Sequence, residues 1–522
     1  MSTQDINASA QLQDATAKSP RRVVIRKSGN LIELSANGIS PLQDSIRRLL
    51  EPMLRYDKKK LLYGRDRYNH STGAYDRRID IIPKKCYRYD TNGRLITNFG
   101  YAYRLVPLLQ QAGYEVDVIN KDPEPQRTDY DEINMEAVLR HFEFRQRQDE
   151  CLQQIIDNPC GVIHAATGFG KLVLIAMVCL AFPNAKIDVV TRRATLVNKI
   201  TKYLTRYVPN VGQTGGGGKT SGRVTVYTFK SLHHSDFDSD LVLVDEAHEG
   251  MADEASSLLA RYQNSRMFAF TASPTGRLDG TDIRLEAIFG RTIFYLPYRE
   301  ALKLGLVVPI RVEWSDVKLR TNPCAGLEDV RRKRAGIWRN IERNEIIAAK
   351  AKTFNADDQV FVAVDFVEHA VHLWQQLKNE GYVLVYDKMD DIDLKRYKHD
   401  GLLPSDYKPM TPKLKEHYRE EFEAGRLKKA ISTVWDVGVD PVHLTALIRA
   451  DAGDSDIDDT QIPGRAARIS KDNPGKVGIV CDFRDQFDDT FAKRAKSRLS
   501  RYIATGWENV VSLPTGEFAP MR

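Results

Sequence analysis

The sequence predicts an α/β protein in which two successive parallel-sheet units follow a small α+β domain. Three observations predict it. From Phe142 onward the apolar runs GVIHAA, KIDVVT, VTVYTF, LVLVDE and MFAFTA each precede a polar loop, and most are followed by a helical segment. The pattern restarts after about Asp358 with QVFVAV, VLVYD, KAISTV, LTALIRA and GKVGIVCDF. Ahead of both, RRVVIRK, LIELSA and RRIDIIP read as short strands, with helical stretches at 41–54 and 103–112.

Apolar strands alternating with helices indicate a parallel sheet covered on both faces, whose ligands sit at the carboxyl ends of the strands. The expected order is a disordered tail (1–20), a basic N-terminal domain (21–125), a first unit (135–320) and a second unit (330–522). A polar, proline-bearing linker covers 121–132, and a helical, basic connector lies around 330–354. The polar stretch 388–412 carries three prolines and reads as an irregular insertion. No fixed-period repeat occurs.

Composition narrows the class. A chain of 522 residues exceeds what one core organises, so about three domains are expected. No stretch approaches the roughly 18 apolar residues of a membrane span. The start, MSTQDINASAQLQD, lacks a basic-then-apolar signal pattern, so a cytoplasmic protein is expected. Cys86, Cys151, Cys160, Cys179, Cys324 and Cys481 show no C-x-x-C spacing, which predicts reduced thiols and no structural zinc.

The segment GVIHAATGFGKL is a strand, a glycine-bearing turn and the start of a helix. In the loop Thr167, Gly168, Phe169 and Gly170, the two glycines let the backbone curl so that N–H groups point at phosphate oxygens. Lys171 then reaches the β- and γ-phosphates, and the helix adds its positive N-terminal end. The next residue should be Ser or Thr, whose hydroxyl binds Mg²⁺. Here it is Leu172, which has no oxygen. Three readings stay open: a natural loss made good by water, a weakened motor, or an engineered change.

LVLVDEAH supplies the second element: four apolar residues make a buried strand and carboxylates emerge at its end. Asp245 is placed to hold Mg²⁺, and Glu246 to share that ion and to orient and deprotonate the attacking water. The two elements together predict ATP and Mg²⁺ as cofactors.

With these motifs the chain resembles the superfamily-two helicases, in the DEAH-bearing branch that holds UvsW-like phage helicases and the XPB and RadD proteins. The match runs over roughly 142–483, with motifs in the expected order. It implies two tandem RecA-like domains. FEFRQRQ is similar to the family's Q-type motif, which assigns Arg145 and Gln148 to adenine. VVTRRATLV and VTVYTFKSL imply nucleic-acid contacts at Thr191, Arg192 and Thr228. His248 of DEAH, with Thr271 and Ser273 of FTASPTGRLDG, would couple ATP state to grip. STVWDVGVD is similar to motif V and places Gly438 and Asp440 at the interface. QIPGRAARIS fits Q-x-x-G-R-x-x-R through Gln461, Gly464, Arg465 and Arg468, which implies that Gln461, Arg465 and Arg468 reach across the cleft. Guanidinium groups there neutralise charge on the transferring phosphoryl group.

Net charge is +7, but the window 55–104 alone holds thirteen Lys or Arg against five Asp, a local +8. Nine aromatics interleave with these cations. Such a surface suits a groove that tracks phosphates while bases stack, with Lys58, Lys59, Lys60, Arg65 and Arg67 as candidate contacts. The alternative is that several tyrosines form this small domain's core while the charges are a solvated face. KRAKSRLSRY near the C-terminus is a second basic segment. Branched, forked or duplex DNA is the expected partner, with RNA an alternative.

Overall fold

A computed structural model describes residues 22–62, 68–69, 74–75, 78–121, 132–250, 253–272, 282–434, 439, 441–455, 458–470, 473–512 and 518–521. Arg65, Arg67, Ser273, Gly438 and Asp440 lie outside them, as do the expected tail and most of the linker. The side chains of Lys58, Lys59 and Lys60 also lie outside the described set.

Two eight-stranded sheets dominate. The first runs in the order Gly218–Thr220, Val211–Gly215, Val224–Thr228, Ile187–Thr191, Leu241–Asp245, Arg266–Thr271, Cys160–Ala165, Thr292–Leu296. Its described pairings are parallel except the short edge strand Gly218–Thr220. All five apolar runs of the first unit become inner strands. Ile187–Thr191 and Val224–Thr228 are buried along their whole length, which β-branched residues covered on both faces favour.

The second sheet runs Val383–Val385, Lys429–Ser432, Gln359–Ala363, Leu444–Arg449, Gly478–Asp485, Ile310–Val317, Glu508–Ser512, Phe518–Pro520. Ile310–Val317 corrects the expected boundary at 320: it precedes the connector, yet it pairs with Gly478–Asp485 and Glu508–Ser512 of the second sheet. Charges interrupt its apolar run, which hid it. Glu313 is buried there because Lys350 (2.7 Å) and Arg311 (2.9 Å) pair with it.

The expected irregular insertion at 388–412 is also corrected. It contains the helix Asp391–His399, which buries Tyr397 in the second unit's core. Asp391 and Asp393 open that helix and Arg396, Lys398 and His399 close it, a charge order that suits the helix dipole. The three prolines all follow it.

The N-terminal unit holds a five-stranded sheet, ordered Tyr87–Tyr89, Leu95–Asn98, Leu31–Ala36, Arg22–Ser28, Glu115–Asn120, and the helix Ala102–Gln111. A separate hairpin pairs Arg55–Leu62 with Arg78–Lys85. The unit docks on the helix Asp282–Phe289 of the first sheet unit. Tyr101 is fully buried and donates to Ile283 O at 3.0 Å, and Arg104 Nε donates to Glu286 Oε1 at 2.6 Å. Gly100 lies against the carbonyls of Glu286 and Ala287, where any Cβ would collide. Among the described residues, no helix is long and apolar enough to cross a membrane.

Candidate functional site

The turn after Cys160–Ala165 is built by two glycines in the left-handed region, Gly168 (φ +107°) and Gly170 (φ +94°). Gly170 caps the helix Lys171–Ala181, which is buried from Leu174 to Ala181 and so fixed in place. Gln148 braces the loop from behind. Its side chain is fully buried; Nε2 donates to Phe169 O at 2.9 Å, and Oε1 accepts from Arg145 N at 3.0 Å. Arg145 donates to Gly168 O at 3.1 Å and Leu306 O at 3.2 Å. The Phe169 ring points into the core and stacks on Phe294 with centroids 5.3 Å apart. Arg145, Gln148 and Phe169 therefore hold the loop's shape in this structure, and none of them lines the cavity it borders.

That cavity, about 340 Å³, lies between the two sheet units. Thr167, Gly168, Gly170, Lys171, Leu172, Asp245 and Glu246 wall it from the first unit, and Gln461, Arg465 and Arg468 from the second. Asp245 ends the strand Leu241–Asp245, and Glu246 follows with φ +48°, a left-handed conformation that a non-glycine residue adopts only where its surroundings impose it. Glu246 Oε1 lies 3.5 Å from Lys171 Nζ, whereas Oε2 is buried without a hydrogen-bond partner. Burial pushes the Glu246 carboxyl up, but Lys171, His248 and Arg465 together leave it below the usual carboxylate range. It is therefore charged at neutral pH.

A chain of side chains crosses between the units. His248, almost fully buried, places Nδ1 2.7 Å from Thr271 Oγ1 and 3.6 Å from Glu246 Oε2. Its other ring nitrogen lies 3.1 Å from Gln461 Nε2 of the second unit. Arg465 donates to Val439 O, and Arg468 Nη1 lies 3.5 Å from where a Cβ on Gly168 would stand. Sequence reasoning missed Lys199 and Tyr203, which line the same cavity with Leu196 and Ile200. The signal was there: these four recur at helical spacing on Ala194–Leu204. Lys199 Nζ also pairs across the units with Glu423 Oε1 at 3.1 Å.

The expected nucleic-acid contacts sit at the carboxyl edge of the first sheet. Thr191 ends its strand, fully buried, with Oγ1 lacking a hydrogen-bond partner, and Arg192 beside it is exposed. The Thr228 hydroxyl is engaged locally, accepting from Ser231 N at 3.0 Å in a capping box.

The residues present fit a nucleoside triphosphate with Mg²⁺. Four cations, Lys171, Lys199, Arg465 and Arg468, and two carboxylates line the cavity, an excess of positive charge that favours a polyphosphate. The positive-φ glycines make room for close backbone approach, and Glu246 Oε2, 3.6 Å from His248 Nδ1 and without a hydrogen bond, is a buried acceptor that a donor such as water can use. Among the described residues no group of three or more His, Cys, Asp or Glu is placed to hold a metal. One or two carboxylates completed by phosphate oxygens and water is the usual donor set for Mg²⁺. Leu172 adds no oxygen; it packs against the core while lining the cavity.

Residues 141–276 match the family described as "Type III restriction enzyme, res subunit". The chain is 22% identical over 422 residues to "Putative helicase 22" of a Sulfolobus islandicus filamentous virus, covering 72% of this chain and 70% of that one. Among solved structures it is similar to a fragment assigned as the HsdR subunit of a type I restriction enzyme from Vibrio vulnificus. There the TM-score is 0.51 and the identity 14%, over 98% of this chain and 96% of that one. It is also similar to Dbp5 of S. cerevisiae bound to RNA and ADP BeF3, at a TM-score of 0.51 and 13% identity, over 72% and 93% of the two chains. The fold is that of two tandem RecA-like units behind a small α/β unit.

Proposed function

We propose that this chain, a superfamily-two helicase by its motifs and fold, couples ATP hydrolysis to movement along DNA, as unwinding or branch migration in recombination, replication or repair. The link from Glu246 through His248 to Gln461 carries the reading. It joins the carboxylate best placed to handle water to the segment that bears Arg465 and Arg468. A nucleotide-binding protein that moves nothing has no physical need for such a link.

Bound Mg-ATP supplies the phosphoanhydride whose γ-phosphoryl group passes to water. Lys171 and the loop N–H groups bind the phosphates, and Arg465 and Arg468 offset charge that builds during transfer. Glu246, ionised and with one oxygen to spare, accepts a proton from the attacking water. His248 reports the state of that carboxylate to Thr271 on one side and Gln461 on the other. Loss of the γ-phosphate removes what holds the two units shut. If each unit grips the strand differently when open and shut, the cycle is a step along a phosphate backbone.

The restriction-enzyme names of the family match and of one structural neighbour favour a second reading, translocation along duplex without strand separation. ATP hydrolysis measured alone and with single-stranded, duplex and forked DNA, and with RNA, tests the first claim. Strand displacement on the fork separates the two readings. We expect DNA to stimulate hydrolysis and RNA to do so less. Absence of hydrolysis in both the parent chain and Leu172→Thr would sink the motor reading.

A further inference from the structure

Where the N-terminal unit docks on the first sheet unit, the two line an open-sided cavity of about 380 Å³. Lys84, Lys85 and Arg88 line it from the N-terminal unit and Arg284 from the first sheet unit, with Tyr56 and Tyr87 also in its wall. Among the described residues, no carboxylate lines it. Glu51 and Glu286, on neighbouring elements, are each taken by an arginine: Glu51 by Arg55 and Glu286 by Arg104. The Arg284 guanidinium lies 5.7 Å from the centre of the Tyr56 ring, and Lys85 Nζ lies 5.8 Å from that of Tyr87.

A concave wall of four cations without a lining carboxylate selects an anion. Rings set beside those cations add a preference for an anion that carries a planar base, since bases stack on aromatic faces while phosphates take the charges. A single phosphate would have no use for the tyrosines. The wall also comes from two units, so whatever sits there bears on both.

We propose that this joint cavity holds one nucleotide of the bound nucleic-acid strand, its phosphate on Lys84 and Arg284 and its base against Tyr56 or Tyr87. The N-terminal unit's hold on the strand is thereby tied to the first sheet unit. This rests on the reading of the chain as a nucleic-acid motor, but its test does not use hydrolysis.

Cys86 lines the same cavity and is partly exposed, while the other five cysteines are buried. Burial pushes its thiol pKa up, so labelling belongs at mildly alkaline pH. In the full-length chain without ATP, a maleimide should modify Cys86 first. A saturating single-stranded DNA oligonucleotide should slow that labelling at least tenfold, and a nucleoside monophosphate at the same nucleotide concentration should not. Lys84→Glu combined with Arg284→Glu should abolish the protection, weaken oligonucleotide binding tenfold or more, and flatten its log–log salt slope by roughly 0.7 for each phosphate no longer neutralised. Arg284→Lys should keep most of the protection. Unchanged labelling at saturating oligonucleotide overturns the proposal, as does protection by the monophosphate alone. If the double variant does not fold, protection of the parent chain still decides. A chain that protects Cys86 but never hydrolyses ATP would refute the motor and leave this site standing.

Discussion

Each sheet gathers buried charge near the carboxyl ends of its strands, and the two gatherings differ in kind. In the second unit Arg343 pairs with Asp485 at 2.7 Å, Arg498 with Asp482 at 2.9 Å, and Arg449 with Asp451 at 2.9 Å and with Asp459. Tyr502 ties this network together, accepting from Arg449 at 3.0 Å and donating to Asp482 at 2.8 Å. The three arginines are almost fully buried. In the first unit Lys171, Asp245 and Glu246 border a cavity, and the Lys171–Glu246 gap is 3.5 Å. Buried charge alone therefore does not mark a site. Charges paired within the packed fold serve it, whereas charges that line a cavity are poised for a ligand.

That contrast can be broken from either side. The largest effect should come from Glu246→Gln, which removes the proton acceptor while keeping its shape: hydrolysis should fall about 10²–10⁴-fold. Its melting temperature should hardly move, and a loss of stability comparable to that of the next variant would erase the distinction. Arg498→Met should do the reverse, costing about 3–5 kcal/mol in denaturant unfolding because the buried Asp482 carboxylate loses the cation paired with it and keeps only neutral donors such as Tyr502. Adding Asp482→Leu should recover most of that loss, and hydrolysis per folded molecule should stay near the parent value. Gln461→Ala sharpens the comparison by cutting the link between units. Basal hydrolysis should persist while DNA stimulation drops, and equal loss of both would assign Gln461 to chemistry rather than coupling. The smallest effect is expected from Leu172→Thr, which offers Mg²⁺ a hydroxyl. Turnover should rise several-fold at saturating ATP, and an unchanged rate would show that water already fills that role.

The inner strands of both sheets were legible because their apolar runs are unbroken. Ile310–Val317 was not: Arg311, Glu313 and Asp316 look like solvent residues until Lys350 and Arg484 are seen to pair with two of them. Motif spacing pointed to Lys171, Asp245 and Glu246, the resemblance to superfamily-two helicases added Gln461, Arg465 and Arg468, and in the structure all six line one cavity. Their roles there are our proposal. Gln148 shows what spacing cannot supply. Its place four residues before Leu152 says nothing about whether its amide faces a ligand, and in the fold both ends are used by the loop itself. Lys199 and Tyr203 were hidden because a helix face that lines a cavity has the same periodicity as one that lines a core. The joint cavity was invisible for a different reason: Arg284 lies some two hundred residues from Lys84, and only docking brings them together.

Among the described strands, all up to Leu296 belong to the first sheet or the N-terminal unit and all from Ile310 onward to the second sheet. The backbone thus passes from one half to the other once, and it does so against the phosphate loop. Arg145 holds Leu306 O at 3.2 Å, Val308 N donates to Ala467 O at 2.9 Å, and Val307 would stand 3.0 Å from a Cβ on Gly168. Pivot and fuel chamber are neighbours, as in a nutcracker loaded close to its pin. In the proposed motor, a small change beside Gly168 would become a longer displacement at the far rim of the jaws, and step length would depend on how far from that pin the strand is gripped.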